Sequence, residues 1–192
     1  MRRIVVSEFM SVDGVMEDPG GAEGFERGGW AFQFDRGAEG DKFKLDEVMG
    51  SDAMLLGRVT YEGFAAAWPE RTDEAGFADK MNSMQKFVVS NTLQSADWNN
   101  STIVSGDVVD EIRKLKQSEG GDLLVAGSAR LVHTLMEHDL VDEVRLTVYP
   151  VVLGDGERLF VQTSDMRPMR LTGMRTLGEG LAYLTYARAR DH

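Results

Sequence analysis

A glycine, an arginine and a threonine directly follow a short apolar run in residues 54–63, MLLGRVTYEG. Gly57 would let a ligand approach the backbone closely, and Arg58 carries a fixed positive charge whose forked donors suit a phosphate. Thr60 stands where a helix is expected to start, and the free N–H groups and dipole of a helix start attract anions. The alternative is a helix cap alone, a common role for threonine. The stretch therefore predicts either a phosphate-binding turn or a simple cap.

Two more strand-like runs end in the same way. KFVVS runs into Ser90, Asn91 and Thr92, and DLLVAG runs into Gly127, Ser128, Ala129 and Arg130. Ligands of open parallel sheets bind beyond the carboxyl ends of the strands. Three such ends in one α/β chain favour the phosphate-binding interpretation over three unrelated caps.

Strand-like and helix-like segments alternate through the first 150 residues, and the remainder is rich in strands. This order predicts one domain over residues 1–192, with a mostly parallel sheet covered by helices and an antiparallel edge formed by the last strands. The final stretch, LAYLTYARAR, alternates apolar and polar residues and is expected to form an edge of the sheet if nothing covers it. Predicted strands lie at 3–10, 53–57, 86–90, 102–106, 122–127, 141–150, 169–176 and 181–189, and predicted helices at 41–49, 60–68, 73–84, 107–117 and 128–138.

Composition narrows the class of partner. The formal net charge of −11 disfavours nucleic acid and anionic membranes, which need clustered Lys and Arg, but leaves room for a small anion at a local positive site. There is no cysteine, no run long enough to cross a bilayer and no signal-like N-terminus, so we expect a cytoplasmic protein. The three histidines, His133, His138 and His192, lack ligand spacing, so we predict no metal site. P-loop and GxSxG motifs do not occur.

Residues 11–40 form a long glycine-rich segment with scattered aromatics. Loops of this length are usually functional or disordered, and the aromatics argue against disorder. The segment is either a loop pinned by its aromatic side chains or one that lines or covers a pocket.

These stretches together resemble the dihydrofolate reductase-like family. MLLGRVTYEGF is similar to the strand-to-helix motif that holds the phosphates of NADPH in that family, FMSVDGVME to its first strand and loop, and VVSNTL to the strand end on the adenosine side. LLVAGSARLVHTLMEHDLVDEVRLTVYPVVLGDGERLF resembles the stand-alone bacterial branch related to the reductase domain of riboflavin biosynthesis, the RibD C-terminal domain. The resemblance covers residues 1 to about 186. It implies a three-layer α/β/α fold and NADPH as hydride donor.

The resemblance also implies positions for the site. The cofactor phosphates would contact Gly57, Arg58 and Thr60, with Arg58 near the 2′-phosphate. Ser90 and Asn91 would lie at the adenosine end, and the turn after DLLV would hold the pyrophosphate. The implied cofactor-binding residues are Gly57, Arg58, Thr60, Ser90, Asn91, Ala126, Gly127, Ser128, Ala129 and Arg130, and the implied substrate-side residues are Asp13, Trp30 and Thr147.

The proton donor is implied by counting back from Gly57. Asp41 falls where dihydrofolate reductase keeps the acid of its first helix. There, a buried carboxylate with a raised pKa helps to protonate the ring atom that the hydride makes electron-rich. Asp35, Glu39 and Asp46 are alternatives, because WAFQFDRGAEGD lacks the prolines of dihydrofolate reductases.

The expected function is therefore an NADPH-dependent reductase of a small pterin- or pyrimidine-type heterocycle. A reductase of an unrelated carbonyl or imine is a second possibility. An alternative of another class is a dimeric nucleotide-binding protein without turnover. The resemblance also implies a homodimer.

Overall fold

Eight strands form one mixed sheet in this computed structural model, which describes residues 1–189. The strands are Ile4–Ser11 (β1), Ala53–Gly57 (β2), Gln85–Val89 (β3), Ser101–Val104 (β4), Leu123–Val125 (β5), Glu143–Tyr149 (β6), Met169–Leu177 (β7) and Leu181–Arg188 (β8). Their order is β4-β3-β2-β5-β1-β6-β8-β7, parallel from β4 to β6 and antiparallel at β6–β8 and β8–β7. The predicted parallel sheet with antiparallel strands at its C-terminal side is confirmed.

Helices cover both faces of the sheet. They are Gly37–Gly50 (α1), Arg58–Ala67 (α2), Phe77–Ser83 (α3), Val108–Gln117 (α4) and Ala129–Glu137 (α5), with a 3₁₀ turn at Trp30–Gln33. Val48, Tyr61 and Met81 of α1, α2 and α3 pack in one core cluster, whereas Ile112 of α4 and Leu135 of α5 pack in the other. The result is the expected three-layer α/β/α architecture. None of the described helices has both the length and the apolarity to cross a bilayer.

The central strands are apolar on both faces because each face carries a helical layer. Along β1, Ile4 and Val6 pack toward α4 and α5, while Val5 packs toward α1, α2 and α3. Period-two alternation then places Glu8 on the α5 side and Ser7 on the α1 side. Two buried polar residues thus lie in the middle of a largely apolar central strand.

The pairing of β1 with β5 ends before the carboxyl end of β1. On β1, the three-residue β5 pairs only with Ile4–Val6, whereas β1 continues to Ser11 against β6. The chain leaves β1 toward α1 on one face and leaves β5 toward α5 on the other. This is a topological switch point, the position at which open α/β sheets bind ligands.

The long segment before α1 is pinned to the body of the protein. The buried Asp18 carboxylate accepts the amide hydrogens of Ala22, Glu23 and Phe25. The Trp30 indole N–H donates to the Glu17 carbonyl oxygen at 2.8 Å. Asp18 and Trp30 therefore hold the segment in place, which agrees with the first of the two interpretations, although Phe32 is exposed.

The expectation that the final strand forms the sheet edge is wrong. A tight turn at 178–180 returns the chain so that β8 lies between β6 and β7, and β7 is the edge. The side chains of Leu171 and Met174 on β7 are exposed. Arg190, which ends the quoted LAYLTYARAR stretch, and His192 lie outside the described residues.

Candidate active site

The turn after β5 is hydrogen-bonded to the start of α2. The Gly57 N–H donates to the Ser128 hydroxyl oxygen at 2.9 Å, and the Ser128 N–H donates to the Thr60 hydroxyl oxygen at 2.8 Å. Since β2 and β5 are neighbours, these two bonds join the two strand ends into one surface. Thr60 is the third residue of α2, inside the helix, and its hydroxyl group binds the turn after β5. The interpretation of Thr60 as a simple helix cap is therefore wrong.

Gly127 is required in this turn for two reasons. Its φ of +60° lies in the left-handed region, and the following Ser128 is also left-handed at +62°. A Cβ at position 127 would lie 2.9 Å from the Thr60 hydroxyl oxygen. Only glycine satisfies both the backbone conformation and the close approach.

Two helix starts converge on this surface without side-chain caps. α2 begins after Gly57 and α5 after Ser128, and neither cap residue makes a side-chain hydrogen bond to its helix. The first-turn N–H groups of both helices are left to other partners, and both dipoles present their positive ends here. The arrangement suits a group with several negative oxygens, such as a pyrophosphate.

The remaining predicted cofactor residues lie along the same edge. Gly57 pairs in register with Val89, so Ser90 stands one residue beyond the end of β3. The Ser90 hydroxyl oxygen accepts the N–H groups of Thr92 and Leu93 and thereby shapes the turn. Asn91 accepts the Gly106 N–H at 2.7 Å and ties the ends of β3 and β4 together.

Arg58 lies at the first position of α2 with its side chain about half exposed. Its guanidinium pairs with Glu62, one turn along the helix, at 2.9 Å. An exposed pair of this kind contributes little to stability, so the guanidinium is free to exchange Glu62 for a phosphate at small cost.

Asp41 is not buried, contrary to the expectation. Its side chain is 65% exposed and pairs with Arg36 at 2.8 Å. α1 begins at Gly37, four residues before Asp41, and in this phase the helix turns Lys44 and Glu47 toward the sheet instead. The alternatives Asp35, Glu39 and Asp46 are also exposed.

A buried charged cluster lies between α1, β1 and β6 instead, and sequence reasoning missed it. The Lys44 ammonium donates to the Ser7 hydroxyl at 2.7 Å and to Glu47 at 2.9 Å, and Arg145 reaches the other Glu47 oxygen at 3.3 Å. Burial alone would raise the pKa of Glu47, but Lys44, the Ser7 hydroxyl and Arg145 together lower it. We call Ser7, Lys44, Glu47 and Arg145 the α1 cluster.

Glu8 is the next residue of β1 and points to the opposite face of the sheet from Ser7, toward the turn after β5. One carboxyl oxygen, Oε2, accepts the Gly127 N–H at 3.0 Å, and the side chain is almost fully buried. Burial raises its pKa well above the ordinary glutamate value, opposed by the Gly127 N–H and Lys44 and reinforced by Glu47. Two neighbouring glutamates whose pKa values are displaced in opposite directions are typical of acid–base sites. The signal that could have revealed this was Ser7-Glu8 inside a buried apolar strand.

The three predicted substrate-side residues have different surroundings. Asp13 joins two loops: it accepts the Leu153 and Gly154 N–H groups, and the Ser11 hydroxyl together with these amides lowers its pKa to about 2. Trp30 is buried edge-to-face on Tyr149, with ring centroids 5.3 Å apart. Thr147 is buried on β6, on the same face as the α1 cluster.

Comparison with known proteins identifies a family, two relatives and two similar structures. Residues 2–183 match the RibD C-terminal domain family. YyaP and YwjB, two uncharacterized proteins of Bacillus subtilis, are 28% and 30% identical over 188 residues, covering 96% and 98% of this chain and 94% and 99% of theirs. A putative riboflavin biosynthesis protein from Shewanella superposes with a TM-score of 0.78 at 21% identity, over 98% of this chain and 99% of its own. A pyrimidine reductase-like protein from Corynebacterium diphtheriae superposes with a TM-score of 0.62 at 14% identity, over 99% and 93%.

Proposed function

Because the chain belongs to the RibD C-terminal domain family, we propose that it is an NADPH-dependent reductase that transfers a hydride to a small heterocycle of the pterin or pyrimidine type. The observation that carries the proposal is the junction in which Ser128 bonds both Gly57 and Thr60. This junction brings two uncapped helix starts to one edge of the sheet, next to the topological switch point.

The residues at this edge fit a dinucleotide. Gly127 brings the backbone turn against Thr60 with no side chain between, and the first turns of α2 and α5 offer N–H groups to a pyrophosphate. Arg58 is proposed to bind the 2′-phosphate, with Ser90 and Asn91 toward the adenosine. When bound, NADPH supplies the hydride.

The α1 cluster supports a heterocyclic substrate. Pterin and pyrimidine rings carry adjacent N–H and carbonyl groups, and a carboxylate flanked by two cations matches such an edge. Glu47 would accept a ring N–H, while Lys44 and Arg145 would donate to a ring oxygen or nitrogen. In this assignment Lys44, held by Ser7 and Glu47, provides the proton for the ring atom that the hydride makes electron-rich.

The second candidate is a dimeric nucleotide-binding protein of the same fold without turnover. The exposure of Asp41 favours it, because the acid expected for catalysis faces solvent. The two candidates share the cofactor edge and differ in what the α1 cluster does.

The test is a titration of NADPH fluorescence with the purified protein, followed by NADPH oxidation in the presence of dihydropterins and a ribosylaminopyrimidine phosphate. Binding followed by substrate-dependent oxidation is expected. Binding without oxidation by any of these heterocycles favours the second candidate, and lack of binding refutes both.

A further inference from the structure

Glu8 is an acid at a position where the fold calls for an apolar side chain. Its neighbours on the same face of β1, Val6 and Met10, pack in the core beneath α4 and α5. A valine or leucine at position 8 would extend that core, whereas a buried carboxyl group costs free energy unless its polar atoms are paired. The acid therefore needs an explanation other than packing.

Half of this carboxyl group is paired and half is not. Oε2 accepts the Gly127 N–H at 3.0 Å, whereas Oε1 is buried and has no hydrogen-bond partner among residues 1–189. Buried polar atoms are nearly always hydrogen-bonded, so an unpartnered one points to a ligand or a function. The bond to Gly127 places this carboxyl group in the turn between β5 and α5, where the two uncapped helix starts converge.

The charged groups that act on Glu8 come from one element. α1 presents Lys44 and Glu47, which oppose each other in their effect on Glu8. The β5–α5 turn presents the Gly127 amide to Glu8, while Arg58 of α2 pairs with Glu62 and Arg130 of α5 is exposed. On β6, the register partner of Glu8 is Leu146, and Arg145 is directed to Glu47 and Glu143. Lys44 is itself committed to Ser7 and Glu47, so burial dominates and the neutral acid is favoured.

We propose that Glu8 is a dinucleotide-binding residue that acts as the neutral acid. Oε2 fixes the turn through Gly127, and the Oε1 hydroxyl donates a hydrogen bond to a phosphate oxygen of the cofactor. A neutral carboxylic acid both tolerates a neighbouring phosphate and has a proton to donate to it, whereas a carboxylate repels the phosphate and has none. The inference rests on the proposed function, because it takes the ligand to be NADPH.

This geometry predicts that the Kd for NADPH depends on pH. When Glu8 ionises at high pH, the donor is lost and two negative groups face each other across the turn. The NADPH Kd should then rise by up to about tenfold for each pH unit above the pKa of Glu8. The 2′-phosphate of NADPH itself titrates near pH 6, so the informative quantity is the ratio of wild-type Kd to variant Kd at each pH.

The experiment is a fluorescence titration with NADPH, across neutral to alkaline pH, of the wild type, Glu8→Gln and Glu119→Gln. Glutamine keeps the size, an acceptor for Gly127 and a donor, but does not ionise. Glu119 undergoes the same change on an exposed loop that leads into β5, at the opposite end of the sheet. We expect the ratio for Glu8→Gln to rise with pH and that for Glu119→Gln to stay constant. A constant ratio for both overturns the inference while leaving NADPH binding intact.

A second measurement needs no variant. Calorimetric titration of the wild type with NADPH in two buffers of different ionisation enthalpy should show proton uptake, approaching one proton per cofactor, in the pH range where the ratio rises. Absence of uptake there overturns the inference. Failure of the wild type to bind NADPH at any pH overturns the proposed function and this inference with it.

Discussion

Replacing Gly127 with alanine should destabilise the protein by about 1.5–3.5 kcal/mol. The left-handed conformation costs a residue with a Cβ about 1–2 kcal/mol. The new Cβ would lie 2.9 Å from the Thr60 hydroxyl oxygen and 3.0 Å from the Thr60 methyl carbon, so Thr60 has to move. Its movement weakens the hydrogen bond from the Ser128 N–H, worth a further ~0.5–1.5 kcal/mol.

The matched control is Gly180→Ala in the turn between β7 and β8. Gly180 has a φ of +89°, and no atom lies within 4 Å of its built Cβ. It therefore incurs the conformational cost alone, about 1–2 kcal/mol. Urea midpoints followed by circular dichroism compare the two, and NADPH titration should show weakened binding only for Gly127→Ala. Equal destabilisation and equal NADPH affinity of the two variants would refute the contact between Gly127 and Thr60 as a functional constraint.

Four further predictions concern single side chains and the assembly of the protein. Arg58→Ala should weaken NADPH far more than NADH, because it removes the fork proposed for the 2′-phosphate; equal losses would reject that assignment. Glu47→Gln should destabilise the fold by about 1–3 kcal/mol, since it removes the carboxylate paired with Lys44 and leaves Arg145 with Glu143 alone, whereas Asp41→Asn at an exposed pair should cost at most about 1 kcal/mol by urea midpoint. The pKa of Glu47 is lower in the folded protein than the ordinary glutamate value of about 4.3. The ionised Glu47 therefore stabilises the fold above that value, and this stability is lost as the pH falls through the lower folded pKa. A Glu47→Gln protein whose free energy of unfolding falls in acid as steeply as that of the wild type would contradict this. We expect a homodimer in light scattering, with the exposed Leu171 and Met174 on edge strand β7 as candidate contacts; a monomer in wild type would reject it.

The convergence of three strand ends on one edge was predictable because it depends on strand order and local chemistry. The glycine and hydroxyl residues at Gly57, Thr60, Gly127 and Ser128 each follow an apolar run, and parallel strands bring such ends to one edge. The contact between Ser128 and Thr60 was not predictable in detail, because it depends on two consecutive left-handed residues.

The inward face of α1 was not predictable because it depends on the phase of one helix. Counting from Gly57 placed Asp41 at the site, but α1 starts at Gly37 and turns Lys44 and Glu47 inward instead. A weakly amphipathic helix with acidic and basic residues all around it does not reveal its buried face in sequence. The position of β8 was missed for a similar reason, since alternation along a strand does not identify its neighbours.

The most direct test of the central claim is a crystal structure of the protein with NADPH. The account predicts the pyrophosphate at the starts of α2 and α5, between Arg58 and Ala129, with Glu8 within hydrogen-bond distance of a phosphate oxygen. A cofactor bound at another surface, or crystals grown with saturating NADPH that show none at this edge, would contradict it.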